Sequence, residues 1–336
     1  MILAGDIGGT KVNLGLYREA GEHLELLEEA RYECRDYDGL DQILDAFLAE
    51  TDSQPKMACF GVAGLVKDGA CRVTNLGWDI DAPQIKEALG IDQVWLINDL
   101  AAMACSVPFL GDDEIEVLQK GAEEGGSIAV LAAGTGLGQA FLVPGGHGRY
   151  RILETEGGHC DFAPRNPFET ELLHFLLHEF ERVSIERILS GEGIYRIYRY
   201  ICDNQELEEP DWLLKEFDEN GLAKVVVDNG LNGKSKACRI AIEVFVEIYG
   251  AVAGNMALQL KTTGGVYVGG GIAPNILSLM KDRFFMENFL DKGRFQGWLE
   301  RIPVRLILNE KASLLGAAHD ALDKNFVRLE ILCGAE

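Results

Sequence analysis

The chain has 336 residues, enough for two domains of ordinary size, and its 47% apolar and 25% charged residues make a globular composition rather than a disordered one. A net charge of −23 repels nucleic-acid backbones and anionic lipid surfaces, and no run of five Lys/Arg offsets it, so neither is expected as a partner. Eight scattered cysteines (Cys34, Cys59, Cys71, Cys105, Cys160, Cys202, Cys238, Cys333) include no C-x-x-C pair, which fits neither a disulfide framework nor a zinc ribbon and points to a reducing compartment.

The N-terminus reaches Asp6 too soon for an apolar leader and carries no basic stretch, so a cytoplasmic location is expected. Residues 2–6 read as a short apolar strand that turns at Gly8-Gly9-Thr10 into an alternating strand over 12–17, a glycine-turned hairpin. A helical pattern covers 40–48. The apolar runs 57–62 and 94–97 predict buried strands whose carboxyl ends carry function. A second hairpin runs through 128–131, turns at Gly134-Thr135-Gly136-Leu137-Gly138 and returns over 139–143.

This second hairpin repeats the grammar of the first: apolar strand, glycine turn with threonine, apolar strand. The repeat implies two similar α/β domains facing a cleft, a small one over 1–105 plus about 310–336 and a large one over 106–309. Asn166 is placed to cap a helix beginning at Pro167, with Glu169 reaching back in a capping box. Further helices are expected over 185–200, 212–229 and 238–260. In the apolar stretch 240–260, Glu243 and Glu247 share one face, the mark of a core helix with one wet edge rather than a membrane span. A strand over 265–268 enters the turn Gly269-Gly270-Gly271, and 312–322 reads as a small-residue helix.

Three constellations carry candidate chemistry. Glycine turns let a backbone approach an anion closely, although a single one is equally an ordinary hairpin turn. The spacing G-T-G-L-G is not the dinucleotide fingerprint, and Gly233-Lys234-Ser235 lacks the earlier glycine of a P-loop, since position 228 is Asp. Asn98-Asp99 at a strand's carboxyl end reads either as an Asx turn or as a general base. Glu156-Gly157-Gly158-His159, with Asp161 just beyond, offers carboxylates and an imidazole able to bond several hydroxyls of a sugar; metal binding is the rival reading. His174 and His178 lack the Glu of H-E-x-x-H and read as packing or solvent-edge residues, while Cys160 reads as buried rather than reactive.

In order, these pieces resemble the bacterial glucokinase family, within the actin-like superfamily of hexokinases and chaperone ATPases, and the resemblance spans nearly the whole chain. Asp6-Ile7-Gly8-Gly9-Thr10 is similar to the first phosphate motif, Gly134-Thr135-Gly136-Leu137-Gly138 to the second, and Gly265-Val266-Tyr267-Val268-Gly269-Gly270-Gly271 to the adenosine motif. Phe60-Gly61-Val62-Ala63-Gly64 and Ala312-Ser313-Leu314-Leu315-Gly316-Ala317 resemble the segments joining the two lobes. Ile97-Asn98-Asp99, the stretch from Glu156 to Pro164 and the stretch from Ser184 to Gly191 make the match specific to glucokinase.

The resemblance implies a two-lobed actin-like ATPase fold (ribonuclease H-like, α/β) and transfer of the γ-phosphoryl group of ATP to the 6-hydroxyl of glucose. It implies that Asn98, Asp99, Glu156, His159 and Glu186 hold glucose, with Asp99 as the base. Asp6, Gly8, Gly9, Thr10, Gly134, Thr135, Gly136, Gly269 and Gly270 would bind ATP with Mg2+, Asp6 acting on the metal only through water. A cytoplasmic homodimer is implied as well. The Cys-rich zinc motif of the related repressor and kinase group is missing, and the first phosphate motif leaves no room ahead of it for a helix-turn-helix, so no structural zinc and no repressor role are expected. Kinases for mannose, fructose or an N-acetylated hexosamine, and a sugar-independent ATPase switch, are the competing expectations; a dehydrogenase fails on the glycine spacing.

Overall fold

In the computed structural model, which describes residues 1–333 apart from 22, 52, 53, 74, 146–148 and 206–209 and omits the side chains of 205 and 325–333, the chain divides into two compact units. One comprises Met1–Gly111 with Asn309–Glu336, the other Asp112–Leu308.

The first unit begins with the glycine-turned hairpin. β1 (Ile2–Ile7) pairs antiparallel with β2 (Lys11–Ala20), and the tight turn sets Ile7 opposite Val12 and Asp6 opposite Asn13. β3 (His23–Glu33) extends this meander, and α1 (Leu40–Ala49) follows. β4 (Met57–Val62) lies parallel to β1 and is buried at every position, the condition under which a strand reads as an unbroken apolar run. β5 (Ala70–Val73) and β6 (Trp78–Asp81) form a separate ribbon. Asp81 caps α2 (Ala82–Leu89) by accepting the Gln84 N–H, and Gly90 ends that helix in the left-handed region. β7 (Gln93–Asn98) joins β4 in parallel, giving the order β3-β2-β1-β4-β7. α3 (Asp99–Ser106) starts on the very next residue.

The second unit builds a six-stranded sheet from β8 (Ile115–Gln119), β9 (Ile128–Ala133), β10 (Leu137–Pro144) and β11 (Tyr150–Thr155), completed later in the chain. Its helices are α4 (Pro167–Leu177), α5 (Gly191–Gln205), α6 (Asp211–Asn220), α7 (Leu222–Leu231) and α8 (Lys236–Leu260). β12 (Gly265–Gly269), α9 (Leu277–Met280), α10 (Arg283–Leu290), α11 (Gln296–Leu299) and β13 (Val304–Ile307) complete it. The order is β11-β10-β9-β12-β13-β8. Five of these strands reproduce the first unit's pattern, an antiparallel meander of three followed by two parallel strands. The repeated hairpin grammar is therefore a repeated topology.

Three expectations shift in this unit. Residues 185–200 do not form one helix: Ile185–Arg187 make a single 3₁₀ turn, and α5 starts only at Gly191. Residues 212–229 split into α6 and α7, because Gly221 at φ +80° leaves the helical region. At the cap of α4, Asn166 accepts the Glu169 N–H as expected, but Glu169 takes the N–H of Arg165 at 2.8 Å rather than that of Asn166. The Arg165 guanidinium also pairs with this almost fully buried carboxylate and draws it one residue further back.

Among the described residues, α8 is the one helix long and apolar enough to cross a membrane, yet most of it is buried within its own unit. Glu243 pairs with Arg239 at 2.6 Å along the wet edge.

α12 (Ala312–Cys333) returns the chain to the first unit and packs on β1, β4 and α3. It approaches α3 so closely that a Cβ on Gly316 would overlap the Ala102 carbonyl oxygen.

Candidate active site

In the first unit, two carboxylates stand at the carboxyl ends of parallel strands: Asp6 near the end of β1, and Asp99 directly after β7. The hairpin register places Asn13 opposite Asp6, and its Nδ2 donates to Asp6 Oδ2 at 3.1 Å. Burial raises the Asp6 carboxyl above the ordinary range, with the Asn13 hydrogen bond opposing it.

Asn98 is the N-cap of α3: its Oδ1 accepts from the N–H groups of Leu100 (2.9 Å) and Ala101 (3.4 Å). Its Nδ2 donates to the Gly64 carbonyl at 3.3 Å, and a side-chain hydrogen bond from Asn98 also favours the ionised Asp99 carboxylate. The Asx-turn reading and the functional reading of Asn98-Asp99 thus describe the same geometry, since the capping Asn98 fixes Asp99 in the first turn of the helix. Burial pushes the Asp99 carboxyl up from 3.8 to about 6, the bond from the Leu100 N–H opposes this, and the charge of Asp6 adds to the rise. A carboxylate near pH 6 is still ionised at neutral pH and is a far better proton acceptor than an exposed one.

The phosphate-type turn of this unit holds Gly8, Gly9 and exposed Thr10. The Gly8 N–H is used within the turn, donating to the Lys11 carbonyl at 2.9 Å. Thr10 anchors the turn to the start of the following segment by accepting the Cys34 N–H on its carbonyl at 2.9 Å.

In the second unit, Glu156, His159 and Glu186 come together. His159 Nε2 lies 3.8 Å from Glu156 Oε2, and His159 Nδ1 lies 3.9 Å from Glu186 Oε1. A long stretch of sequence separates Glu156 from Glu186, and Arg182 spans the gap. Its guanidinium donates to the His159 carbonyl at 2.8 Å and to Asp161 at 2.9 Å, while the Ile185 N–H donates to the Cys160 carbonyl at 2.9 Å. Cys160, expected to be buried, is exposed. Its backbone is held at both ends, its N–H donating to the Gly157 carbonyl at 3.1 Å and its carbonyl accepting from Ile185. His174 on α4 and His178, the C-cap of that helix, are both exposed at the solvent edge.

The trio is coupled to the second glycine turn. Glu186 Oε2 accepts the Leu137 N–H at 2.9 Å, and a Cβ on Gly136 would lie 2.5 Å from the same oxygen. Glycine at 136 is thus required for Glu186 to approach. Gly134 differs: an added Cβ would meet nothing within 4 Å, so the fold leaves open space there. Its N–H donates to the Gly136 carbonyl at 2.9 Å, and Thr135 is exposed at the tip. The third turn follows β12: Gly269 is its last strand residue, and Gly270 takes φ +85° against the Ala133 backbone.

A family model described as Glucokinase matches residues 3–324. The chain belongs to the glucokinase family. It is therefore an ATP-dependent hexose kinase. The glucokinase of Nostoc punctiforme is 39% identical over 334 residues, covering 95% of this chain and 98% of that protein. A solved glucokinase from an Antarctic psychrotroph superposes with a TM-score of 0.84 at 29% identity, covering 96% of this chain and 98% of that one, which gives the expected actin-like ATPase fold. The fold is also that of a ROK family glucokinase from Streptomyces griseus in complex with glucose and AMPPNP, at a TM-score of 0.65 and 21% identity, covering 96% and 99% of the two chains.

Sequence reading alone does not single out Asn13 or Arg182. Asn13 has a signal, because counting across the hairpin turn sets this polar residue opposite Asp6. Arg182 has none, because its partners are fixed only when two distant segments meet.

Proposed function

We propose that the chain is a cytoplasmic, homodimeric glucokinase that transfers the γ-phosphoryl group of ATP to the 6-hydroxyl of glucose, giving glucose 6-phosphate and ADP as the opening step of glycolysis. The observation that carries the reading is Asp99, held by the cap of α3 and raised to about 6, a base suited to a sugar hydroxyl at neutral pH.

Asp99 accepts the hydrogen bond of the 6-hydroxyl and takes its proton as the phosphoryl group arrives. Asn98 donates to the sugar from its amide Nδ2, and Glu156, His159 and Glu186 bond the other hydroxyls. Thr10 and Thr135 contact phosphate oxygens. The N–H groups of Gly9, Thr10, Thr135 and Gly136 complete the cradle, since those of Gly8 and Gly134 are spent inside their turns. The open space at Gly134, where the fold itself does not demand glycine, supports close approach of an anion to that backbone. Gly269 and Gly270 bound the adenosine side.

Magnesium carried by the nucleotide fits this arrangement. Asp6 is buried, has one oxygen committed to Asn13, and repels Asp99, so a cation near Asp6 relieves both the desolvation and the repulsion. Asp6 would hold the ion through water, and the ion would neutralise phosphate charge.

The test is ADP release measured across a sugar panel with ATP, GTP and polyphosphate as donors. Glucose with ATP is expected to give the highest kcat/KM. ATP hydrolysis at the same rate with and without sugar would overturn the reading, and a preference for mannose, fructose or N-acetylglucosamine would replace glucose in it.

A further inference from the structure

Where β12 leaves the sheet of the second unit, backbone groups lose their ladder partners. Gly270 turns at φ +85°, and β9 ends one residue before Gly134. Polar backbone groups buried at such a divergence must find another partner or cost stability. Here the partner is a side chain from α8. Tyr249 is fully buried, and its Oη accepts the Ala133 N–H at 3.1 Å. The same oxygen lies 3.2 Å from the Gly269 carbonyl and 3.3 Å from the Leu131 carbonyl, which share its single proton.

Ala133 and Gly269 are the last residues of β9 and β12, from which the turns at Gly134-Thr135-Gly136 and Gly269-Gly270-Gly271 depart. A buried tyrosine in an apolar core is costly unless its hydroxyl is used, and this one is used three times at one place. Its ring is fixed independently, edge-on to Phe245 and Phe285, so the hydroxyl has a rigid mount. Burial raises the phenol's pKa, and it remains a donor at any working pH.

We propose that Tyr249 is a positioning residue for nucleotide binding, which sets the phosphate turn after β9 and the adenosine turn after β12 in mutual register through its hydroxyl. The inference rests on those two turns binding ATP. The phenol touches no substrate; it fixes the distance between two backbone segments that a single nucleotide must satisfy together. Its loss therefore weakens nucleotide binding and leaves the trio of Glu156, His159 and Glu186 in place.

The experiment compares Tyr249→Phe with Phe285→Leu, which loosens the packing but keeps the hydroxyl. AMPPNP affinity is measured by calorimetry, alongside KM for ATP and for glucose. Tyr249→Phe is expected to weaken AMPPNP binding and raise KM for ATP by about tenfold, with KM for glucose unchanged within about twofold. Phe285→Leu is expected to lower the melting temperature with AMPPNP affinity retained. Unchanged AMPPNP affinity in Tyr249→Phe, or equal weakening in both variants, overturns the inference alone. Failure of the wild-type protein to bind AMPPNP overturns the reading of the turns and the inference with it. Should Tyr249→Phe not fold, hydrogen exchange on the wild-type protein decides: AMPPNP is expected to slow exchange at both strand ends together, and protection of only one refutes the coupling.

Discussion

Replacing Asp99 by Asn should cost turnover and add stability at once, because the same burial that makes the carboxylate a base also makes its charge unwelcome. Its carboxyl is raised from 3.8 to about 6. An acid raised on folding binds its proton more tightly in the folded state. The folded state is therefore favoured below pH 3.8, and that advantage is lost as pH rises through about 6. At pH 7 a rise of that size corresponds to about 3 kcal/mol of destabilisation, an upper figure for a residue with some solvent access. Asn keeps the shape and still accepts the Leu100 N–H, so the variant should recover much of that energy at pH 7 and almost none at pH 4. At about 2–4 °C per kcal/mol, the melting temperature of the ligand-free protein should rise by several degrees at pH 7. Turnover should fall by about two to four orders of magnitude while glucose still binds. Calorimetric melts at the two pH values and a coupled kinase assay measure both halves. A variant with near-normal kcat refutes Asp99 as base, and a melting temperature lowered at pH 7 refutes the burial account of its charge.

The acid limb of kcat/KM should have its midpoint near pH 6, because Asp99 works only when ionised; a pH–rate profile flat down to pH 5 would contradict that. Gly136→Ala should push Glu186 away from the Leu137 N–H and lower kcat/KM for glucose by about a hundredfold, measured against KM for ATP as internal comparison. Gly316→Ala should drive α12 off α3 and destabilise the protein by about 1–3 kcal/mol, visible in urea unfolding.

Much of this site is legible in the sequence because glycine turns and strand-end carboxylates leave marks within a few residues of themselves. The two hairpins, the cap at Asn166 and the strands over 57–62 and 94–97 follow from local pattern. α3 is not legible: Leu100, Ala101, Ala102, Ala104 and Cys105 are all buried, so the apolar residues between Asp99 and Ser106 show no helical period. The 3₁₀ turn at Glu186 reads as helix because its residues favour helix, whereas the bond from the Leu137 N–H and the Cys160 carbonyl fix it from outside. Tyr249 reads as one more apolar face residue of α8. Its role depends on where two strands diverge, and no window along the helix contains that information.

The return of α12 to the first unit bears on how the protein is made. The sheet of that unit is synthesised before the second unit, yet the helix whose Ala312, Leu314, Ala317, Ala318 and Ala321 are buried emerges only after it. Until then β1, β4 and α3 expose the surface that Gly316 will approach. The second unit, continuous over Asp112–Leu308, has every one of its strands by the time β13 leaves the ribosome. During synthesis, then, the half that carries Asp99 stays incomplete until α12 has been made, after the other half has all of its strands.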